Sequence, residues 1–166
     1  MKSAFFSLAF LILLTTSCRK NTSDGRSWTF RGSTYTAMTC EASGGSVYCT
    51  NRFKKGMTGT YLYNSVDIVF ASVLLPDTMA TFTVTDSFAP SSPDKVQIYM
   101  QLGYNSTSTI PGQNYTATGG SGHDQTVRVT VSPSHVVSVI GTGIMMQNNT
   151  LAGDSGVLDF NFTSTN

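Results

Sequence analysis

The 166-residue sequence predicts an all-β domain, an antiparallel two-sheet sandwich of about nine strands with a β-barrel as the alternative. Three observations carry this. Val, Ile and Thr make up 40 of the 149 residues that follow position 17 (166 − 17), and these are the residue types that suit a pleated, half-buried surface. Apolar residues alternate with polar ones in short runs, separated by clusters of Gly, Pro, Asn, Asp and Ser. No stretch after position 17 carries a helical apolar period. One run is apolar on both faces and the last has a single apolar face, which favours a sandwich over a barrel.

Trp28-Thr29-Phe30 alternates apolar and polar, and Thr34 to Phe53 reads as a hairpin turning at Ser43-Gly44-Gly45-Ser46. Two central glycines suit the positive-φ turns that two-residue hairpins prefer. Residues whose numbers sum to 89 then face each other, so Cys40 lies opposite Cys49 at a non-hydrogen-bonded site, where Cα atoms are about 4.5 Å apart. That is disulfide reach. The same register puts Met38, Cys40, Ala42, Val47, Cys49 and Phe53 on one face, with Glu41, Tyr48, Thr50 and Arg52 on the other. Val66 to Leu75 is the run that is apolar on both faces. Thr81 to Thr85 directs Phe82 and Val84 inward. Lys95 to Leu102 carries Val96, Ile98, Met100 and Leu102 on one face and Gln97, Tyr99 and Gln101 on the other. Asn114 to Thr118 is short. Thr126 to Val131 points three valines inward and turns at Ser132-Pro133-Ser134-His135, with Pro at the favoured second position. Val136–Ile140 and Ile144–Gln147 flank Gly141-Thr142-Gly143, a bulge or kink. Val157 to Thr163 closes the domain with Leu158, Phe160 and Phe162 inward.

Ahead of these strands, Met1-Lys2-Ser3 is a short positive start and Ala4 to Leu14 an apolar run of eleven residues. A membrane-spanning helix needs about 20 residues, so eleven suit the apolar part of an export signal. Thr15-Thr16-Ser17-Cys18 follows and resembles the lipobox of bacterial lipoproteins, with Thr15 where that motif carries Leu. The resemblance implies removal of residues 1–17, acylation of Cys18 and membrane attachment through that lipid. Residues 18–27 read as a flexible polar tether, and residues 28–166 as one domain.

Ten Lys+Arg against nine Asp+Glu leave a net charge of +1, and removal of Lys2 brings it to zero, which gives no case for a nucleic-acid partner. The searches for catalytic chemistry find little. One Glu and eight Asp, mostly in turns, mark no carboxylate pair for glycoside hydrolysis. His123, in a Gly-rich loop beside Asp124, and His135, in a hairpin turn, form neither a triad nor a zinc set. Cys40 and Cys49 lack the close spacing or added ligands of a redox or metal pair. No enzyme, cofactor or metal is expected. Arg52, Lys54 and Lys55 form a small basic cluster. Gln97, Tyr99 and Gln101, with Tyr61 and Tyr63 nearby, resemble the exposed platforms that bind sugars, where a ring stacks on the saccharide and amides meet its hydroxyls.

From Trp-Thr-Phe-x-Gly at Trp28 to Leu-Asp-Phe-Asn-Phe-Thr at the end, the chain resembles small uncharacterised β-sandwich lipoproteins of the Bacteroidota. Asn-Tyr-Thr-Ala-Thr-Gly-Gly followed by Val-Arg-Val-Thr-Val is the most family-like piece. Asp77-Thr78-Met79 resembles the O-glycosylation acceptor of that phylum, with Thr78 as the acceptor. The resemblance implies a lipid-anchored envelope protein, outer-membrane and periplasmic or surface-facing. The function expected is a non-catalytic binding or scaffolding module, for polysaccharide or an envelope protein. A structural subunit of a fimbria-like assembly comes second and a small hydrolase last.

Overall fold

Eleven strands form among the described residues, which in the computed structural model are 25–55, 60–87, 92–105, 112–119 and 125–164. In chain order they are β1 (Arg26–Phe30), β2 (Ser33–Thr36), β3 (Thr39–Ser43), β4 (Ser46–Lys55), β5 (Thr60–Phe70), β6 (Ala80–Val84), β7 (Lys95–Tyr104), β8 (Gln113–Ala117), β9 (Thr126–Val131), β10 (Val137–Asn148) and β11 (Ser155–Thr163). Pairing runs in one path, β2-β1-β11-β10-β9-β6-β7-β5-β4-β3, and β8 bridges β7 and β10. β2 and β3 at its ends pair only inward, while β8 closes a ring with β10, β9, β6 and β7. The fold is all-β and sandwich-like. One arm, β2-β1-β11-β10, packs its apolar face against the core, and the other, β7-β5-β4-β3, carries the outer face described below.

The hairpin register agrees with the sequence pattern. Cys40 pairs with Cys49 and Ser43 with Ser46, Gly44 and Gly45 both take positive φ (56° and 79°), and a disulfide joins the cysteines with Cα atoms 4.1 Å apart. Gly45 also has no room for a side chain, since a Cβ there would lie 2.4 Å from the Val73 carbonyl oxygen. The predicted interruption in β10 is a bulge between Gly141 and Ile144, and the bare Gly141 admits the Phe160 ring. Trp28, Phe30, Val66, Ile68, Phe70, Val96, Ile98, Tyr115, Val127, Val129, Val139, Ile144, Leu158 and Phe162 form one core.

Several expectations are corrected. Met38 and Phe53 are exposed: Met38 sits in the bend before β3, whereas Phe53 keeps the face of Cys49, opposite buried Leu62, but its ring near the end of β4 is left 38% exposed. The strand expected over Val66–Leu75 starts earlier, at Thr60, and stops at Phe70, where Val73 N–H donates to the Phe70 carbonyl and turns the chain. Only one face of that strand is fully buried. β1 begins at Arg26, so the last two residues of the expected tether belong to the sheet, paired with Phe162 and Asn161. The sheet is mixed, not purely antiparallel: β6 and β7 run parallel through Thr83–Lys95 and Val84–Val96. A parallel pair cannot be joined by a tight hairpin, and ten residues separate β6 from β7.

Candidate functional site

The outer face of β3, β4, β5, β7 and β8 carries the predicted platform. Opposite residues in paired strands share a face, so register alone assembles its rows. Glu41, Tyr48, Asp67, Tyr99 and Thr116 form one row across five strands. Thr39, Thr50, Ser65, Gln101 and Asn114 form the next. Ser46, Val69 and Gln97 lie on the other side of the first row. Tyr48 and Tyr99 are 43% and 39% exposed, enough to leave ring surface open on either side of Asp67.

The structure brings the sequence-predicted residues together and separates their roles. Tyr99 donates its hydroxyl hydrogen to Gln97 Oε1 at 2.6 Å, and Gln97 Nε2 donates to the Asp86 carbonyl at 2.9 Å. Gln97 therefore anchors the Tyr99 phenol to the β6–β7 connection. Gln101 Nε2 donates to Asn114 Oδ1 across the β7–β8 pair at 2.9 Å. Tyr63 joins the face opposite Tyr104. The Arg52 guanidinium sits 3.7 Å from the Tyr61 ring centroid and 5.8 Å from that of Tyr63, which is cation–π range. The charge read as part of a basic cluster is thus spread over aromatic rings at one end of the platform.

Asp67 is the residue that sequence reasoning missed. It lies on β5 between the tyrosines, and its Oδ1 is sealed from solvent and makes no hydrogen bond. Burial pushes its carboxyl above the ordinary value of 3.8. The signal was a carboxylate inside the most apolar strand, Val66-Asp67-Ile68-Val69-Phe70.

A second polar cluster ties the β1–β2 turn to the β10–β11 turn. Arg31 pairs with Asp154 Oδ1 and donates to the Ser155 carbonyl, while Tyr115 and Asn148 donate to Asp154 Oδ2 at 2.9 and 2.8 Å. Every acceptor there is matched by a donor of the protein itself, so this is a latch and not a ligand site. The Arg31 hydrogen bond, ahead of those from Asn148 and Tyr115, holds the Asp154 carboxyl below 3.8. The stabilisation it gives is complete above the unfolded value and is lost as pH falls through the lowered folded value. Asp154→Asn is therefore expected to lower the melting temperature at neutral pH, with the gap to the parent narrowing in acid. Melting curves over an acid series check this; a gap constant with pH would mean that the Arg31 pair contributes nothing through charge.

Thr78 is exposed in the β5–β6 connection, and His135 is exposed in its turn. Cys18, His123 and Asp124 lie outside the described residues. Among the described residues no group of three His, Cys, Asp or Glu side chains is placed to hold a metal ion, and no helix is long and apolar enough to cross a membrane. No protein-family model, curated protein or solved structure matches this chain.

Proposed function

We propose that the protein is a lipid-anchored, non-catalytic binding module that takes saccharide on the outer face of β3, β4, β5, β7 and β8. One observation carries this reading: half-exposed Tyr48 and Tyr99 flank Asp67 in a single row, bordered on one side by Thr39, Thr50, Ser65, Gln101 and Asn114 and on the other by Ser46, Val69 and Gln97. Rings supply flat apolar area at low conformational-entropy cost, and carboxylate, hydroxyl and amide groups meet sugar hydroxyls. The spacing suits an extended ligand, since strand rows two residues apart stand roughly 7 Å from each other. Acylated Cys18 would hold the domain to the envelope membrane. With β1 beginning at Arg26, only seven residues separate it from Cys18, which would keep the domain near the lipid surface.

Tyr99→Ala is expected to weaken glycan binding by about 1–2 kcal/mol, the size of a typical aromatic contact, with little change in melting temperature because the ring stands on the outer face, 39% exposed. Calorimetric titration beside a thermal melt measures both. Unchanged affinity would remove Tyr99 from the site, and a large stability loss would mean that its ring serves packing instead.

A further inference from the structure

Among the described residues Asp67 is a carboxylate without a paired cation. On β4 and β7 the positions opposite and diagonal to it on the same face are Ser46, Tyr48, Thr50, Gln97, Tyr99 and Gln101. None is basic. Along β5 its neighbours on that face are Ser65 and Val69, and the remaining charge in its row, Glu41 on β3, is also negative. The nearest described cations on the face, Arg52 on β4 and Lys95 on β7, each lie four residues along the strand from this row, roughly 13 Å away; Arg52 sits over Tyr61 and Lys95 beside Asp94. Buried charges elsewhere in proteins are paired or hydrogen-bonded because an unpaired one is costly. The Arg31–Asp154 latch shows this chain meeting that requirement when a carboxylate has only a structural task.

We propose that the Tyr48–Asp67–Tyr99 row is a subsite for a protonated amine, so that the saccharide taken on this face carries a free amino group. The inference rests on the saccharide reading and adds the ligand's charge to it. Asp67 Oδ1 is sealed, so an ammonium group meets the carboxylate at Oδ2 through a charge-assisted hydrogen bond, and aromatic rings on both sides attract it through their π-faces. A hard metal ion fits this surface poorly. Ca²⁺ takes 6–8 oxygen ligands, and Glu41, the other carboxylate in the row, stands two strands away, about 10 Å. A neutral sugar would leave the charge uncompensated.

The test compares three probes on the full chain by calorimetric titration: a glucosamine hexamer, its N-acetylated counterpart, and a neutral glucose hexamer. The free-amine hexamer is expected to bind at least about tenfold tighter than either of the others. In Asp67→Asn that preference is expected to vanish, while the melting temperature at neutral pH holds or rises, because burial no longer opposes a charge there. Equal binding of all three hexamers by the parent chain would overturn the amine subsite and leave saccharide binding standing. Absence of binding to every one would overturn both. Should Asp67→Asn fail to fold, the parent's ranking of the three probes decides alone.

Discussion

Replacing Cys40 and Cys49 together by alanine is expected to lower stability by about 3 kcal/mol without destroying the fold. The chain-entropy model assigns about 2.7 kcal/mol to closing a ten-residue loop. Both cysteines are fully buried, and they share a row with Val66 and Met100 on β5 and β7, so the lost sulfurs also remove packing. The hairpin has other support: the tight Gly44-Gly45 turn, and ten paired residues between β4 and β5. For a domain of about 140 residues, 3 kcal/mol corresponds to a fall of roughly 10 °C in melting temperature. Melting the parent with and without reductant, with thiols counted by mass, gives an independent reading of the same quantity. Fully reduced protein that melts at the parent temperature would show that the bridge adds nothing to stability. Because Tyr48 adjoins Cys49 on the opposite face, the variant should also weaken the proposed saccharide binding, through a looser β4.

How much of this was readable from sequence depends on the kind of fact. The hairpin was readable from Thr39 to Thr50 because two constraints coincide at Cys40 and Cys49: a two-glycine turn fixes the register, and the disulfide requires the same pairing; its expected start at Thr34 was wrong, since Ser33–Thr36 form β2 and pair with β1. The outward placement of Gln97, Tyr99 and Gln101 followed from the period-2 rule alone. The rule fails where the ladder slips. Gly103, at φ 70°, inserts an extra residue into β7, so Tyr63 pairs with Tyr104 while Ser65 pairs with Gln101. Tyr104 therefore shares the outer face with Tyr63, although it stands an even number of residues from inward Met100. Asn64 also escapes the rule. It is buried at this slip, accepting from Gly103 N–H at 2.9 Å and donating to Asn51 at 3.3 Å. Asp67 was hidden for another reason. Its role depends on what stands beside it on β4 and β7, and strand order is not written in local pattern. The parallel β6–β7 pair was unreadable on the same ground.

Trp28→Ala is expected to have the largest effect of all, about 3–5 kcal/mol, whereas Trp28→Phe should cost under about 2. Trp28 is 1% exposed on the inner face of β1; its ring stacks on Tyr35 at 5.2 Å and meets Phe162 edge-on at 5.9 Å. Through those two rings it joins the edge strand β2 to β11, so truncation to alanine opens a cavity where three strands meet. Phenylalanine keeps a ring for both partners and loses only part of the area. It also removes a liability, because the indole Nε1–H is buried and makes no hydrogen bond. A buried donor without a partner costs about 1–3 kcal/mol, which offsets much of the area lost. The two variants thus separate packing from polarity at one position. Since Trp28 is the chain's single tryptophan, unfolding of both should be followed by circular dichroism, and the parent's emission should be blue-shifted and poorly quenched by acrylamide. A phenylalanine variant as unstable as the alanine one would mean that the indole's full shape, and not its uncompensated N–H, governs this corner of the core.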